Sequence, residues 1–182
     1  MTSSMRAAIS SMENKQKQAK AVFFDRDGTL NVDIHYLHRP QDFIWTEDAK
    51  EAIRYCNEKG YLVIIVTNQS GVARGYYSEA DVRYLHAWMN EELMKEGAHL
   101  DALYYCPHHP EGRVPAYTKV CDCRKPAPNM LNDACRDFNI DKAKSFFIGD
   151  NVGDMQCAKN AHIRGIRYTG GNLLQLVKDA IV

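Results

Sequence analysis

The 182-residue sequence carries no surplus of either charge, since 23 Lys and Arg face 23 Asp and Glu for a formal net charge of +0. Blanket attraction to nucleic acid or to an anionic membrane draws on excess basic residues, so neither partner is implied and any charged site must be local. Long apolar runs are missing too. The run Tyr61 to Val66 is far shorter than the roughly 20 residues that span a bilayer, and residues 1–20 lack the apolar stretch of a secretory signal. The expected location is the cytoplasm. There the six cysteines are read as core residues, metal ligands or catalytic groups rather than as a disulfide framework. No heptad pattern or apolar surface stripe is evident, and a monomer is expected. What is present, 45% hydrophobic residues, excludes a disordered tail or a collagen-like repeat and suits one ordinary domain.

Residues 1–18 have no apolar period and are expected to be a flexible extension, leaving a single domain over 19–182. Ala21-Val22-Phe23-Phe24 reads as a buried strand ending in the turn Asp25-Arg26-Asp27-Gly28. Ala49, Ala52, Ile53 and Cys56 recur at helical spacing behind a Thr46 cap, with Glu47 and Asp48 in the first turn and Gly60 as the stop. Tyr61 to Val66 is β-branched without alternation, as in a strand covered on both faces. Ser78 and Asp81 form a capping box before the stripe Val82, Leu85, Met89, Leu93. Leu103 to Tyr105 is a short strand, and Pro128 opens a helix with Leu131, Ala134, Cys135 and Phe138 inward. Ser145 to Ile148 and Ile163 to Tyr168 are the last strands, and Leu173 to Val182 the closing helix. Strands alternating with helices predict an α/β fold, a three-layer α/β/α sandwich on a mainly parallel sheet.

In such a sheet ligands bind beyond the carboxyl ends of the strands. Three of those ends carry polar residues: Asp25 and Asp27; Thr67 and Asn68; Asp150 and Asp154 in Gly149-Asp150-Asn151-Val152-Gly153-Asp154. Carboxylates gathered in one place repel unless a hard cation lies between them, and Mg²⁺ takes one or two carboxylates together with substrate phosphate oxygens. A phosphate ligand with Mg²⁺ is the expectation. Elsewhere, Cys106-Pro107-His108-His109 and Cys121-Asp122-Cys123 place three cysteines and a histidine in two knuckles, and four N/S ligands suit tetrahedral Zn²⁺. Such a zinc would be structural, and because Arg124 and Lys125 follow Cys123 directly, closing the loop at about 106–123 would fix where those two cations point.

The Asp25-x-Asp27-Gly28-Thr29 signature, Thr67, Lys125 and Gly149-Asp150-x-x-x-Asp154, in this order, resemble the four motifs of the haloacid dehalogenase superfamily of phosphotransferases. The resemblance implies a Rossmann-like fold in which Asp25 is the nucleophile and forms an aspartyl-phosphate. Asp27 would be the general acid and base. It further implies Mg²⁺ on Asp25, the backbone carbonyl of Asp27 and Asp150, with Thr67 and Lys125 compensating phosphoryl charge and Asp154 orienting other groups.

Within the superfamily, the zinc loop and Thr67-Asn68-Gln69-Ser70-Gly71-Val72-Ala73-Arg74-Gly75 are similar to the D-glycero-D-manno-heptose 1,7-bisphosphate 7-phosphatases. That likeness implies no large cap domain, zinc on Cys106, His108, Cys121 and Cys123, and removal of the C7 phosphate on the route to nucleotide-activated heptose. It places Asp33, Ile34, His35, Tyr36, Thr67, Asn68, Gln69, Ser70, Arg124 and Lys125 at the sugar bisphosphate. A guanidinium such as Arg124 suits a second phosphate. Members often have Gly-Tyr where this chain has His35-Tyr36. Histidinol-phosphate phosphatase is the nearest rival, and a non-enzymatic zinc-binding interaction module is the rival of another class. A nucleic-acid 3′-phosphatase ranks third, for want of a basic arm.

Overall fold

Every residue of β1 (Ala21–Phe24) is buried, because successive side chains enter two different cores. Val22 and Phe24 face one way and Ala21 and Phe23 the other, which is why the run shows no polar alternation. The computed structural model describes residues 18–181, so the extension expected over 1–18 falls outside the described residues apart from Gln18, as does Val182 of the closing helix. The further strands are β2 (Leu62–Asn68), β3 (Ala102–Cys106), β4 (Phe146–Gly149) and β5 (Arg164–Arg167). They form one parallel sheet in the order β3-β2-β1-β4-β5.

In chain order the helices are α1 (Ala49–Glu58), α2 (Gly71–Arg74), α3 (Glu79–Met94), α4 (Asn129–Asp137), α5 (Val152–Asn160) and α6 (Leu173–Ala180). α1, α3 and α6 pack on the Val22/Phe24 side, and α4 and α5 on the Ala21/Phe23 side, which makes the three layers. Burying each large apolar chain of α3, such as Leu85, Met89 and Leu93, stabilises the fold by roughly 1.5–3 kcal/mol. Ser78 does cap α3 with Asp81 in a capping box. Cys56, Cys135 and Cys157 are core residues.

Two local expectations are corrected. Thr46 does not cap α1; its hydroxyl donates to the Thr29 carbonyl at 2.6 Å, tying the loop after β1 down, and Asp48 stands at the N-cap with φ 54°. Glu47 and Asp48 thus precede the first turn. Phe138 is the half-buried C-cap of α4, whose buried stripe also takes in Met130. α5 was not expected: Asn151 and Asp154 form a second capping box that starts it.

From β1 the chain adds β2 and β3 on one side, then crosses to place β4 and β5 on the other. The carboxyl ends of β1, β2 and β4 therefore meet where the order reverses, the usual position of a ligand crevice in an open α/β sheet. The loop after β3 docks back on α2, with Arg113 and Val114 N–H donating to the Ala73 carbonyl at 2.7 and 2.9 Å. Glu79 at the start of α3 accepts from the Tyr117 hydroxyl at 2.8 Å and from Tyr105. Among the described residues no helix is long and apolar enough to cross a membrane.

Candidate active site

β1 delivers Asp25 to the floor of a cleft, where its side chain is only 7% exposed. Its Oδ1 accepts the Arg26 N–H at 2.8 Å and lies 2.8 Å from Lys125 Nζ. Burial pushes the Asp25 carboxyl up to about 7, and the nearby Asp154 and Asp27 carboxylates add to the rise while Lys125 opposes it. Lys125 is buried. Its ammonium sits between Asp25, Asp154 Oδ1 at 2.7 Å and the Val66 carbonyl at 3.0 Å. Desolvation opposes this charge, but the two carboxylates win and hold the Lys125 pKa above its ordinary value.

The fourth motif is built by α5. Asp154, fully buried, accepts the Asn151 N–H on Oδ2 at 3.2 Å and turns Oδ1 to Lys125, so one carboxylate both starts the helix and holds the lysine. Gly149 permits this, since a Cβ there would lie 2.5 Å from the Asp154 Cβ. Gly28 plays a similar part beside Asp150. Its φ of +82° is open to glycine, and a Cβ would fall 2.4 Å from Asp150 Oδ2. The Asp150 carboxyl is shifted upward by burial and by Asp154.

β2 extends far enough to carry Thr67 and Asn68. The Asn68 amide is occupied by the backbone of Lys125, accepting its N–H at 3.0 Å and donating to its carbonyl at 3.1 Å. Gln69 is likewise engaged. Its Nε2 donates to Thr67 Oγ1 at 2.9 Å and Asp27 Oδ2 at 3.1 Å, while its Oε1 accepts the Tyr77 hydroxyl at 2.6 Å. Asn68 and Gln69 thus brace the cleft as well as wall it.

The structure brings Asp25, Asp27, Thr67, Asn68, Gln69, Ser70, Lys125 and Asp150 to one cleft, with Asp33, His35 and Tyr36 along one wall. Ile34 and Arg124 do not wall it: Ile34 is exposed, and Arg124 Nη1 reaches the His108 carbonyl at 3.4 Å. Tyr77 and Asn151 wall it without having been anticipated. Nor was Arg26, which is 1% exposed and binds Asp27 through Nε and Nη2 at 2.8–3.1 Å. Its place inside Asp25-x-Asp27 is the one signal that could have found it.

The donor set suits a divalent cation. Asp25, Asp150 and Asp154 bring carboxylate oxygens within 4.8 Å of one another, and among the described residues Lys125 is the one cation paired with Asp25 and Asp154. Hard oxygen ligands of surplus negative charge are what Mg²⁺ takes. A second cluster is soft. Cys106 Sγ lies 3.3 Å from Cys121 and 3.1 Å from Cys123, and His108 Nδ1 is 3.7 and 3.5 Å from Cys106 and Cys123. All six cysteines are free thiols. Burial pushes the Cys106 and Cys123 thiols up, while Cys121, against its own burial, is held below its ordinary value by hydrogen bonds from those two thiols. His109 turns away, accepting the Glu111 N–H on Nδ1 at 3.1 Å.

The chain is similar to known proteins in sequence and fold. A family model described as polynucleotide kinase 3 phosphatase matches residues 20–166. The chain is 44% identical over 162 residues to the D-glycero-beta-D-manno-heptose-1,7-bisphosphate 7-phosphatase of Rhodopseudomonas palustris, covering 89% of this chain and 90% of that protein. With the Haemophilus ducreyi protein of the same name it shares 47% over 146 residues, 80% of each. A had-like phosphatase from Mesorhizobium loti superposes with a TM-score of 0.80 at 32% identity, covering 90% of this chain and 86% of that one. The D,D-heptose 1.7-bisphosphate phosphatase of B. bronchiseptica, complexed with magnesium and phosphate, superposes at 0.74 with 27% identity over 88% of this chain and 97% of that one. With Asp25 at the end of β1, a buried lysine beside it and a parallel sheet, the chain belongs to the haloacid dehalogenase-type phosphatase family of the D-glycero-D-manno-heptose-1,7-bisphosphate 7-phosphatases.

Proposed function

We propose that the protein removes the C7 phosphate of D-glycero-β-D-manno-heptose 1,7-bisphosphate, in the formation of nucleotide-activated heptose, through an aspartyl-phosphate on Asp25. The observation that carries the reading is the Asp25 carboxylate, held on the cleft floor 2.8 Å from Lys125 Nζ in a chain whose relatives act under that name. An Asp25 oxygen attacks phosphorus as the bond to the C7 oxygen breaks, and Asp27 gives that oxygen a proton. Asp27 then takes a proton from water as the water oxygen displaces Asp25, releasing inorganic phosphate. Lys125 and the Thr67 hydroxyl stabilise the charge on the phosphoryl oxygens. Asp25, Asp150 and the Asp27 backbone carbonyl would hold Mg²⁺, which when bound offsets the repulsion between carboxylate and phosphate.

Asp33, His35, Tyr36 and Ser70 recognise the sugar, with Ile34 and Arg124 at the periphery, where Arg124 receives the second phosphate. Cys106, His108, Cys121 and Cys123 hold a structural Zn²⁺ that leaves no coordination place for substrate. The enzyme works as a cytoplasmic monomer without nucleic acid or membrane partners; the balanced charge supports the want of those two partners, although the family model takes its name from a nucleic-acid phosphatase.

The test is a phosphate-release panel with both heptose bisphosphate anomers, histidinol phosphate and a 3′-phosphorylated oligonucleotide. Highest kcat/KM on the β-anomer is expected, with release abolished in Asp25→Asn at unchanged fold and zinc content. Preference for histidinol phosphate or the oligonucleotide would overturn the assignment.

A further inference from the structure

Arg26 lies between nucleophile and general acid in the chain, yet its side chain leaves the cleft and is 1% exposed. Burying a guanidinium is costly, and Nη1 finds no hydrogen-bond partner, so the bonds that Nε and Nη2 do make indicate what the residue is kept for. Nε donates to Asp27 Oδ1 at 3.1 Å, and Nη2 to Asp27 Oδ1 and Oδ2 at 2.9 and 2.8 Å. The same Nη2 reaches the Leu37 carbonyl at 2.8 Å and Gln69 Oε1 at 3.4 Å. Leu37 is the buried residue that ends the turn presenting Asp33, His35 and Tyr36 to the cleft. In that turn His35 and Tyr36 both have left-handed backbones, φ 59° and 54°, a conformation that non-glycine residues hold only when their surroundings enforce it.

We propose that Arg26 is a positioning residue that couples the sugar-recognition turn 33–37 to the general acid Asp27, so that the turn and the proton donor are held in one arrangement. A lysine carries the same charge but loses the Nε donor to Asp27 Oδ1 and the planar fork that aims Nη2 at both Asp27 and the Leu37 carbonyl. The proposal rests on the reading of Asp27 as general acid.

The experiment exploits the leaving group. A general acid matters for expelling a poor leaving group such as the C7 alkoxide and little for p-nitrophenolate, so misplacing Asp27 must hurt the two substrates unequally. kcat/KM is measured for wild type, Asp27→Asn, Arg26→Lys and Arg26→Gln on heptose 1,7-bisphosphate and on p-nitrophenyl phosphate, with folding checked by near-ultraviolet circular dichroism. General acid catalysis contributes about 10²–10⁴-fold, so a misplaced acid should cost about 10–100-fold more on the sugar than on the aryl ester in both Arg26 variants. Their KM for the sugar should rise as well, reporting the loosened turn. Equal losses on both substrates, no loss, or failure of both variants to fold would assign Arg26 to structure alone and overturn the proposal. If Asp27→Asn itself shows no leaving-group dependence, it is the general-acid reading that fails, and wild type inactive on both esters would sink the phosphatase reading.

Discussion

Replacing Asp154 by asparagine isolates one ion pair in the floor of the cleft. Asp154 is fully buried, its Oδ1 is 2.7 Å from Lys125 Nζ, and an asparagine oxygen can still accept the Asn151 N–H that starts α5. Removing one partner of a buried pair costs about 3–5 kcal/mol when the other is stranded. Lys125 is not stranded, since Asp25 at 2.8 Å and the Val66 carbonyl at 3.0 Å remain. The loss then approaches that of one hydrogen bond between charged groups, about 2–3 kcal/mol. For a domain of this size that corresponds to a fall in Tm of about 4–12 °C. The assay is urea denaturation of wild type, Asp154→Asn, Lys125→Met and the double variant, in Mg²⁺-free buffer. The cycle should return a coupling of about 2 kcal/mol, and Asp154→Ala should be less stable than Asp154→Asn by about 1 kcal/mol through the lost cap. A coupling within about 0.3 kcal/mol of zero would refute the view that Asp154 serves by holding Lys125.

Three further outcomes follow from the geometry. His86 is buried with Nδ1 2.6 Å from the Val82 carbonyl, and burial lowers its pKa to about 3 from 6.5. Between those values the unfolded chain binds the proton and the native one does not, so this group's contribution is present above pH 6.5 and falls as pH drops. Urea titrations should show wild type losing about 2 kcal/mol more than His86→Leu from pH 6.5 to 5, and parallel curves would contradict the assignment. Asn68→Asp removes the amide donor to the Lys125 carbonyl while keeping an acceptor for its N–H, and should lower kcat about tenfold with metal content unchanged, by steady-state kinetics. Stripping metal from the Cys106, His108, Cys121 and Cys123 cluster, verified by metal analysis, should reduce turnover in a way that added Mg²⁺ does not restore; full turnover would separate the loop from catalysis.

The buried strands were legible because a sheet covered on both faces imposes an apolar run with no alternation, and β1, β2 and β4 show it. The site was legible for a related reason: strand ends in a parallel sheet converge, so Asp25, Thr67 and Asp150 could be placed together before any coordinates. What stayed hidden depends on tertiary neighbours. Arg26 draws no attention in the sequence, and only the fold surrounds it with its carboxylate and carbonyl partners. Asn68 and Gln69 read as substrate contacts, and only the fold shows how much of their hydrogen-bonding capacity is committed to Lys125, Asp27, Thr67 and Tyr77. Thr46 has the chemistry of a cap, but the Thr29 carbonyl competes for it and α1 starts at Ala49 instead. α5 escaped notice because its signal, Asn151 with Asp154, coincides with the acidic motif and was read as chemistry alone.

At the far edge of the sheet, β5 pairs with β4 on one side and, among the described residues, offers its other side to no strand, and its residues are mostly exposed. An open strand edge is a template on which a second chain can add itself, and proteins discourage this by shortening the strand and charging it. β5 does both, with four residues of which Arg164 and Arg167 are cations. Two molecules meeting there would bring like charges together, so the same short, basic strand that completes the sheet also guards the protein against stacking into fibres at high concentration.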